Sequence, residues 1–133
     1  MRKIVCCVSL IAVCFALCGC VASVASERRE YKIFCGMSSP SGEVSEKEWA
    51  RFCDEHVSAA FPDGYTVLDA AGYWRSAPQT TAKERSKIIL IVAPADAREK
   101  VLSVARRYRE RFAQDCVLVS VTDAEAELVR AKR

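Results

Sequence analysis

The most apolar run after residue 26 reads Lys87-Ile88-Ile89-Leu90-Ile91-Val92-Ala93. Its β-branched residues favour a strand, and Pro94 directly after it ends the run. Because neighbouring side chains of a strand point to opposite faces, this strand is apolar on both faces. Such a strand is typical of the centre of a sheet that is covered on both sides. Residues 87–93 therefore predict a central strand, around which the other elements can be placed.

Three other segments predict strands. Residues 31–37 mix β-branched and aromatic residues, and alternate residues share one side under the period of two. Residues 65–70 follow the turn formers Pro62-Asp63-Gly64, and this strand is expected to continue through Tyr73-Trp74 after a bend at Gly72. Residues 116–121 form the last predicted strand. A loop over residues 75–81 is expected to separate the second strand from the central one.

Two helices are predicted between these strands. The first begins at Ser45, since Ser45 and Glu48 match a capping box in which each side chain bonds the other residue's backbone N–H. Its core-facing residues are three or four positions apart: Trp49, Phe52, Cys53, Val57, Ala60 and Phe61. The second helix is expected to be capped by Asp96. Its apolar stripe has the same spacing: Ala97, Val101, Val104, Ala105, Tyr108 and Phe112.

The element order strand, helix, strand, strand, helix, strand predicts an α+β domain with the ferredoxin-like βαββαβ topology. Two right-handed crossovers then build a four-stranded antiparallel sheet with both helices on one face. The first and third strands are central in that topology, which agrees with the apolar character of residues 87–93. The other face has no helix to cover its apolar side chains. A homodimer through the open sheet face is therefore expected.

The amino end of the chain has the features of a secretory signal. Arg2 and Lys3 precede an uncharged apolar run, in which residues 17–20 read Leu-Cys-Gly-Cys. This sequence resembles the lipobox of bacterial lipoproteins, in which the cysteine is acylated and becomes the first residue of the mature chain. Residues 1–19 are therefore a predicted lipoprotein signal peptide, and Cys20 is the predicted lipidation site.

An uncleaved transmembrane helix is the alternative for this segment. The chain has no charged residue from position 4 to position 26, which is long enough to span a bilayer. Either way, Arg2 and Lys3 hold the amino end in the cytosol and the rest of the chain lies outside it. The expected location is the bacterial cell envelope, with the domain lipid-anchored at the membrane. In a Gram-negative cell that means the outer membrane or the periplasmic side.

The composition of the remaining chain is that of one globular domain. The chain has 133 residues, which is room for a single domain with a modest core. Twenty basic residues face 17 acidic ones, and two of the basic residues belong to the predicted signal, so the rest is nearly neutral. No nucleic-acid partner is therefore expected. We divide the chain into a tether over residues 20–29, the domain over residues 30–122, and a charged tail with a frayed helix over residues 123–133.

Three of the eight cysteines remain when the predicted signal and Cys20 are set aside: Cys35, Cys53 and Cys116. An oxidising compartment permits one disulfide among them. The ferredoxin-like topology places the end of the first strand beside the start of the last, so Cys35 and Cys116 are the predicted pair. The alternative is that all three are small, buried apolar residues.

Several short motifs occur in order between residues 31 and 121. They read Phe34-Cys35-Gly36-Met37-Ser38, Glu48-Trp49-Ala50-Arg51-Phe52, Phe61-Pro62-Asp63-Gly64, Thr66-Val67-Leu68-Asp69, Trp74-Arg75 and Glu84-Arg85-Ser86-Lys87. Together they resemble a family of small bacterial domains of unknown function, often found behind signal or lipoprotein sequences. The resemblance implies location and compactness, and it brings no activity or catalytic residues. After Val121 the chain turns charged where similar domains are more strand-like, so a last edge strand is expected to be missing.

A cluster near the loop of the second and third strands is the candidate ligand site. Its residues are Trp74, Arg75, Glu84, Arg85 and Lys87. If these strands form a hairpin, an aromatic ring, cationic groups and a carboxylate come together, and such sites bind anions or sugars. The alternative is an aromatic lid with an ion-pair network on a long hairpin.

His56 is the only histidine of the chain, and a structural position beside the apolar stripe of the first helix is expected for it. A general base needs an orienting partner and a cleft, neither of which the sequence indicates. No metal site and no cofactor are predicted. The second helix is rich in basic residues, which either face anionic lipid or form a solvated surface with the acidic residues between them.

These patterns predict an envelope lipoprotein that acts as a non-catalytic binding or interaction domain. The alternative is a small cofactor-free enzyme built on a ferredoxin-like dimer, which rests on fold analogy alone. The identity of the ligand does not follow from the sequence.

Overall fold

The computed structural model describes residues 27–131, apart from the side chain of Ser76. The predicted signal peptide over residues 1–19, the lipidation site Cys20 and most of the predicted tether lie outside the described residues. None of the helices between residues 27 and 131 is long and apolar enough to cross a membrane.

The described chain forms six strands and two α-helices. In order they are β1 (Arg28–Gly36), β2 (Ser38–Ser39), β3 (Gly42–Glu43), α1 (Glu46–Phe52), β4 (Thr66–Ala77), β5 (Thr80–Pro94), α2 (Arg98–Arg111) and β6 (Leu118–Ala124). A π-helical segment, Cys53–Ser58, continues α1, and a 3₁₀ turn, Ala95–Ala97, precedes α2. The short strands β2 and β3 pair with each other outside the main sheet.

The main sheet has the strand order β4-β5-β1-β6, and every neighbouring pair is antiparallel. With two helices in the crossovers, this arrangement confirms the predicted ferredoxin-like fold. The strands β1 and β5 are central, as the apolar character of residues 87–93 predicts. The edge strand β6 pairs with β1 along its whole length, and no further strand follows it among the described residues up to 131.

The first helix begins where the capping box predicts. Ser45 is the N-cap; its hydroxyl accepts from the backbone N–H of Glu48, and the Glu48 carboxylate accepts from the backbone N–H of Ser45. The second helix differs from the prediction, because Asp96 lies inside the 3₁₀ turn and caps nothing. The hydroxyl of Tyr31 donates to the carbonyls of Pro94 and Ala95, which holds the chain in this turn before α2 begins at Arg98.

The hairpin of β4 and β5 is longer than predicted. Residues 75–81 were expected to form a loop, but both strands continue until only residues 78 and 79 connect them. Gln79 has a φ of 67°, the left-handed conformation that a tight connection requires. Residues 80–85 of β5 pair with β4 alone, since β1 pairs only with residues 86–94. The hairpin therefore extends past the rest of the sheet.

The ends of the domain also differ from the predicted boundaries. The strand β1 begins at Arg28, inside the predicted tether, and β6 starts at residue 118 rather than 116 and runs to Ala124, inside the predicted tail. Residues 125–131 form no helix. Strand pairing between β1 and β6 explains both extensions, because Arg28 and Ala124 are themselves partners.

The core lies between the sheet and the helices. An aromatic cluster of the helices fills it, with ring centroids of Phe52 and Tyr108 5.1 Å apart and those of Tyr108 and Phe112 4.8 Å apart. The Tyr108 hydroxyl donates to the carbonyl of Gly36 at 2.7 Å, which fixes α2 to the end of β1. Burial raises the pKa of Tyr108 above its usual range, so this hydroxyl stays protonated. The helices thus cover one face of the sheet, and the other face remains open.

Candidate functional site

The predicted ligand cluster is divided between the two faces of the sheet. Arg85 and Lys87 lie at alternate positions of β5, on the face that the helices cover, and Arg75 occupies the same face of β4. Trp74 and Glu84 lie at positions of the opposite, open face. The hairpin predicted from the sequence is present, but strand alternation keeps the five residues from forming one site.

Arg85 and Lys87 belong to an ion-pair network on the covered face. Arg85 bonds the carboxylates of Glu43 and Glu46, and the ammonium group of Lys87 lies 2.6 Å from Asp69 and 3.2 Å from Glu46. The hydrogen bond to Asp69 raises the pKa of Lys87, and the same bond lowers the pKa of Asp69. Arg85 and Lys87 thus have carboxylate partners within the chain, as in the ion-pair alternative.

Lys87 is buried although it is charged. Its side chain is 8% exposed, and its ammonium group lies 5.8 Å from the centre of the Trp49 ring. A buried lysine keeps its charge when carboxylates and a ring face compensate for the lost water. Lys87 therefore connects α1 to the hairpin and is not available to a ligand.

Polar side chains cluster around two glycines at the hairpin end of the open face. A Cβ atom at Gly72 would lie 2.6 Å from both Ser86 Oγ and Trp74 Nε1, so only glycine fits beneath the indole. The Ser86 hydroxyl is buried and has no hydrogen-bond partner among the described residues. A Cβ atom at Gly36 would likewise come too close to the Glu84 carboxylate. The motifs Trp74-Arg75 and Glu84-Arg85-Ser86-Lys87 include the polar residues of this cluster. That the glycines lie beneath them became apparent only from the strand register.

Next to this polar cluster, apolar side chains form a continuous row across the open face. Leu118 of β6 pairs with Phe34 of β1, Phe34 pairs with Ile88 of β5, and Ile88 pairs with Leu68 of β4. The row therefore crosses all four strands. Leu68 is 45% exposed and Leu118 is 49% exposed, while Phe34 and Ile88 are half-buried. Both ends of the row are thus exposed to solvent.

One ion pair lies beside the apolar row. Lys32 and Glu30, the two residues of β1 that precede Phe34 on the open face, approach each other to 2.5 Å. Both are half-buried. The centre of the open face thus combines an apolar row with one positive and one negative charge on the same strand.

A groove of about 440 Å³ lies on the other side of the molecule, between the two helices. Residues of the π-helical segment and the turn after it form one wall, and residues of α2 form the other. The lining residues are Glu55, His56, Ala59, Ala60, Lys100, Ser103, Val104 and Arg107. His56, whose ring also packs 5.1 Å from that of Phe52, thus faces a groove that periodicity in the sequence did not indicate.

The predicted disulfide between Cys35 and Cys116 is not formed, and all three cysteines of the described chain are free. The β1–β6 ladder ends at the pair of Phe34 with Leu118, so Cys116 lies outside β6 and has no partner in the ladder. Cys35 is buried on the covered face, and burial raises its pKa. Burial also raises the pKa of the Cys53 thiol, to about 11, whereas Cys116 is exposed.

Residues 27–131 contain no group of three or more histidine, cysteine and acidic side chains placed to hold a metal ion.

Comparisons with known proteins identify a family and a fold. The model of the DUF3574 family, described as a protein of unknown function, matches residues 30–128. A phage SAM lyase in complex with S-methyl-5'-thioadenosine is similar in structure, with a TM-score of 0.59 and 17% sequence identity over 74% of this chain and 82% of that one. CutA from Synechococcus elongatus PCC7942, complexed with a Bis-Tris molecule, has a TM-score of 0.50 and 11% identity over 74% and 81%. No curated protein matches the chain. At such identities the similarity concerns the fold alone.

Proposed function

The chain belongs to the DUF3574 family, and we propose for it the role of a non-catalytic interaction domain at a bacterial cell envelope. A lipid on Cys20 holds the domain at the membrane, outside the cytosol. The open face of the sheet is its interaction surface, and the partner is a second copy of the same chain.

The apolar row on the open face carries this proposal. Leu68 and Leu118 expose nearly half of their surface, and they continue through Phe34 and Ile88 without a polar break. Removing such a row from water is favourable by about 25 cal/mol per Å² of apolar surface. A contiguous apolar patch of this kind is typical of an interaction site.

The charges beside the row favour a second copy over another partner. Across a two-fold axis, each chain presents the same patch to the other. The Lys32–Glu30 pair lies on the central strand β1, so an antiparallel approach of two sheets places Lys32 of one copy near Glu30 of the other. This arrangement is self-complementary in charge.

The size of the face is compatible with a dimer. Four strands spaced about 4.8 Å apart, each extended by about 3.4 Å per residue, make a face of about 19 Å by 30 Å over the nine residues of β1. The β4–β5 hairpin adds surface beyond that. Anchoring also helps, because two copies in one membrane meet at a high effective concentration.

Val92 and Val121 provide a matched test of the open face. Both valines are 37% exposed, but Val92 lies on the open face and Val121 pairs with Tyr31 on the covered side. We expect Val92→Glu to weaken self-association of the full chain by about tenfold or more, since a carboxylate must then be desolvated at the interface. Val121→Glu should leave it unchanged. Sedimentation equilibrium in a density-matched non-ionic detergent measures both.

A chain that remains monomeric at every concentration would contradict the proposal. So would a dimer that both substitutions weaken equally, because the open face would then not be the interface.

The lipid anchor has its own test. The intact mass of the full chain recovered from bacterial membranes should show loss of residues 1–19 and addition of acyl chains, and Cys20→Ala should abolish both changes. An unmodified full-length mass in the membrane fraction would instead indicate an uncleaved helix. The alternative of a small cofactor-free enzyme stays a prediction that rests on fold analogy alone, since the likeness to the phage lyase concerns the fold.

A further inference from the structure

The inter-helix groove carries unpaired positive charge. Lys100 and Arg107 lie seven residues apart on α2, hence on one side of the helix, and both line the groove. Neither forms an ion pair with a described carboxylate, whereas Arg98 and Arg106 of the same helix both contact Glu99 at 3.7 Å. Lys100 and Arg107 thus face the groove without an acidic partner among the described residues.

The carboxylate of the groove does not neutralise these cations. Glu55 is bonded by Arg51 at 2.6 Å and by Arg111 at 2.7 Å. These two hydrogen bonds lower the pKa of Glu55 to about 2, so it is charged at neutral pH, but two guanidinium groups already balance that charge. The groove therefore has a net positive charge.

Hydrogen-bond donors and apolar surface complete the groove. Ser103 lies between Lys100 and Arg107 on the same helix face, and the imidazole of His56 lines the opposite wall. Ala59 and Val104 are apolar lining residues. A volume of about 440 Å³ is within the usual range for a small-molecule pocket, and a bare inorganic anion fills only part of it.

We propose that this groove binds an organic phosphate, with the phosphate held by Lys100 and Arg107 and the organic group lying against Ala59 and Val104. Guanidinium and hydroxyl groups are the donors that phosphate oxygens prefer. The phosphate belongs either to a lipid headgroup or to a soluble ester, and the two sources have the same chemistry at these side chains. The site lies on the helix side of the sheet, so it is independent of the proposed open-face dimer.

His56 makes the binding measurable in the full chain. It is the only histidine, so an imidazole labelled with ¹³C gives one signal, from a residue that lines the groove. The full chain in a phosphate-free, non-ionic detergent is titrated with glycerol 3-phosphate, with inorganic phosphate, and with sodium chloride at equal ionic strength. We expect a saturable shift of the His56 signal with glycerol 3-phosphate, a weaker one with inorganic phosphate, and none with chloride.

Two substitutions on α2 test whether glycerol 3-phosphate binds in the groove. Arg107→Gln should weaken glycerol 3-phosphate binding by about tenfold or more, because it removes a charge-assisted hydrogen bond. Arg109→Gln is the matched control, since Arg109 is an exposed arginine of the same helix that does not line the groove and forms no ion pair with a described residue. It should leave binding unchanged.

Mixed micelles distinguish a lipid headgroup from a soluble ester as the source of the phosphate. A His56 shift with phosphatidylglycerol that glycerol 3-phosphate reverses indicates a lipid headgroup, whereas a shift with the soluble ester alone indicates a soluble ligand. Both results support the site. A shift that follows ionic strength only, or that Arg107→Gln and Arg109→Gln reduce equally, would overturn it. The open-face dimer is measured by sedimentation, so failure of one proposal does not imply failure of the other.

Discussion

The two faces of the sheet consist of alternate residues of the same strands, but the helices cover only one of them. On β5, Ile89 and Ile91 are buried beneath the helices, whereas Ile88 and Leu90, which alternate with them, are half-buried and partly reach solvent. The side chains are of the same type on both faces. A strand with two apolar faces therefore indicates that the sheet needs a covering layer on each face. The described chain provides only the layer of helices on one face.

The largest difference between the faces should appear in stability. We expect Ile89→Ala to lower the free energy of unfolding by about 2–5 kcal/mol, because it leaves a cavity in the core. Ile88→Ala should cost about 1 kcal/mol or less, since less of its surface is buried within one chain. Urea unfolding of both variants in the Val92→Glu background, which removes the proposed self-association, measures the difference. Equal losses would mean that both faces are covered within one chain.

Thiol reactivity provides a second comparison of covered and open positions. Cys116 is exposed, whereas Cys53 is buried with its pKa raised from 9.0 to about 11, which reduces its thiolate fraction about a hundredfold. We expect iodoacetamide to modify Cys116 at least about a hundredfold faster than Cys53 or Cys35. Peptide mapping by mass spectrometry resolves the three sites, and all three should react alike in urea. If Cys35 and Cys116 both react only after reduction, the two residues form the disulfide expected from the sequence.

Substitutions at two neighbouring polar residues of β5 should change the free energy of unfolding in opposite directions. Ser86→Ala on the open face is expected to raise the free energy of unfolding by up to about 1 kcal/mol, because the buried Ser86 hydroxyl lacks a partner. Lys87→Met on the covered face should lower it by about 1 kcal/mol, since the ion pairs with Asp69 and Glu46 are lost. Thermal unfolding of the two variants shows whether each substitution raises or lowers the stability. A loss of stability in Ser86→Ala would mean that the hydroxyl has a hydrogen-bond partner after all.

The smallest effect concerns the ion pairs that join the two covering helices. The pKa of Glu55 is lowered to about 2 from an ordinary value of 4.5. Below pH 4.5 the unfolded chain takes up a proton that the folded chain does not, so this stabilisation, present above pH 4.5, is lost as the pH falls toward 2. We expect Glu55→Gln to reduce the change in urea midpoint between pH 7 and pH 3.

Glu110→Gln is the control for this measurement, since Glu110 is an exposed glutamate of α2 without an ion pair to a described residue. Equal changes in the two variants would show that the bonds from Arg51 and Arg111 do not persist in solution.

The candidate sites were predictable only in part. Trp74 and Glu84 were found from the hairpin pattern, and they do lie on one face. Arg85 and Lys87 were grouped with them because they are close in sequence, but a strand sends neighbouring side chains to opposite faces. His56 was expected to be structural because its own helix offers no partner, whereas the groove that it lines is formed with α2.

The sequence by itself determined the features that depend on neighbours along the chain. The capping box of Ser45 and Glu48 closes within one helical turn, and the two apolar faces of residues 87–93 follow from the period of a strand. Only the tertiary structure decided the strand register, which pairs Leu118 with Phe34 and leaves Cys116 outside the ladder, and the pairing of Lys87 with Asp69. Register arises from hydrogen bonds between segments far apart in sequence, and a shift of one residue exchanges the two faces.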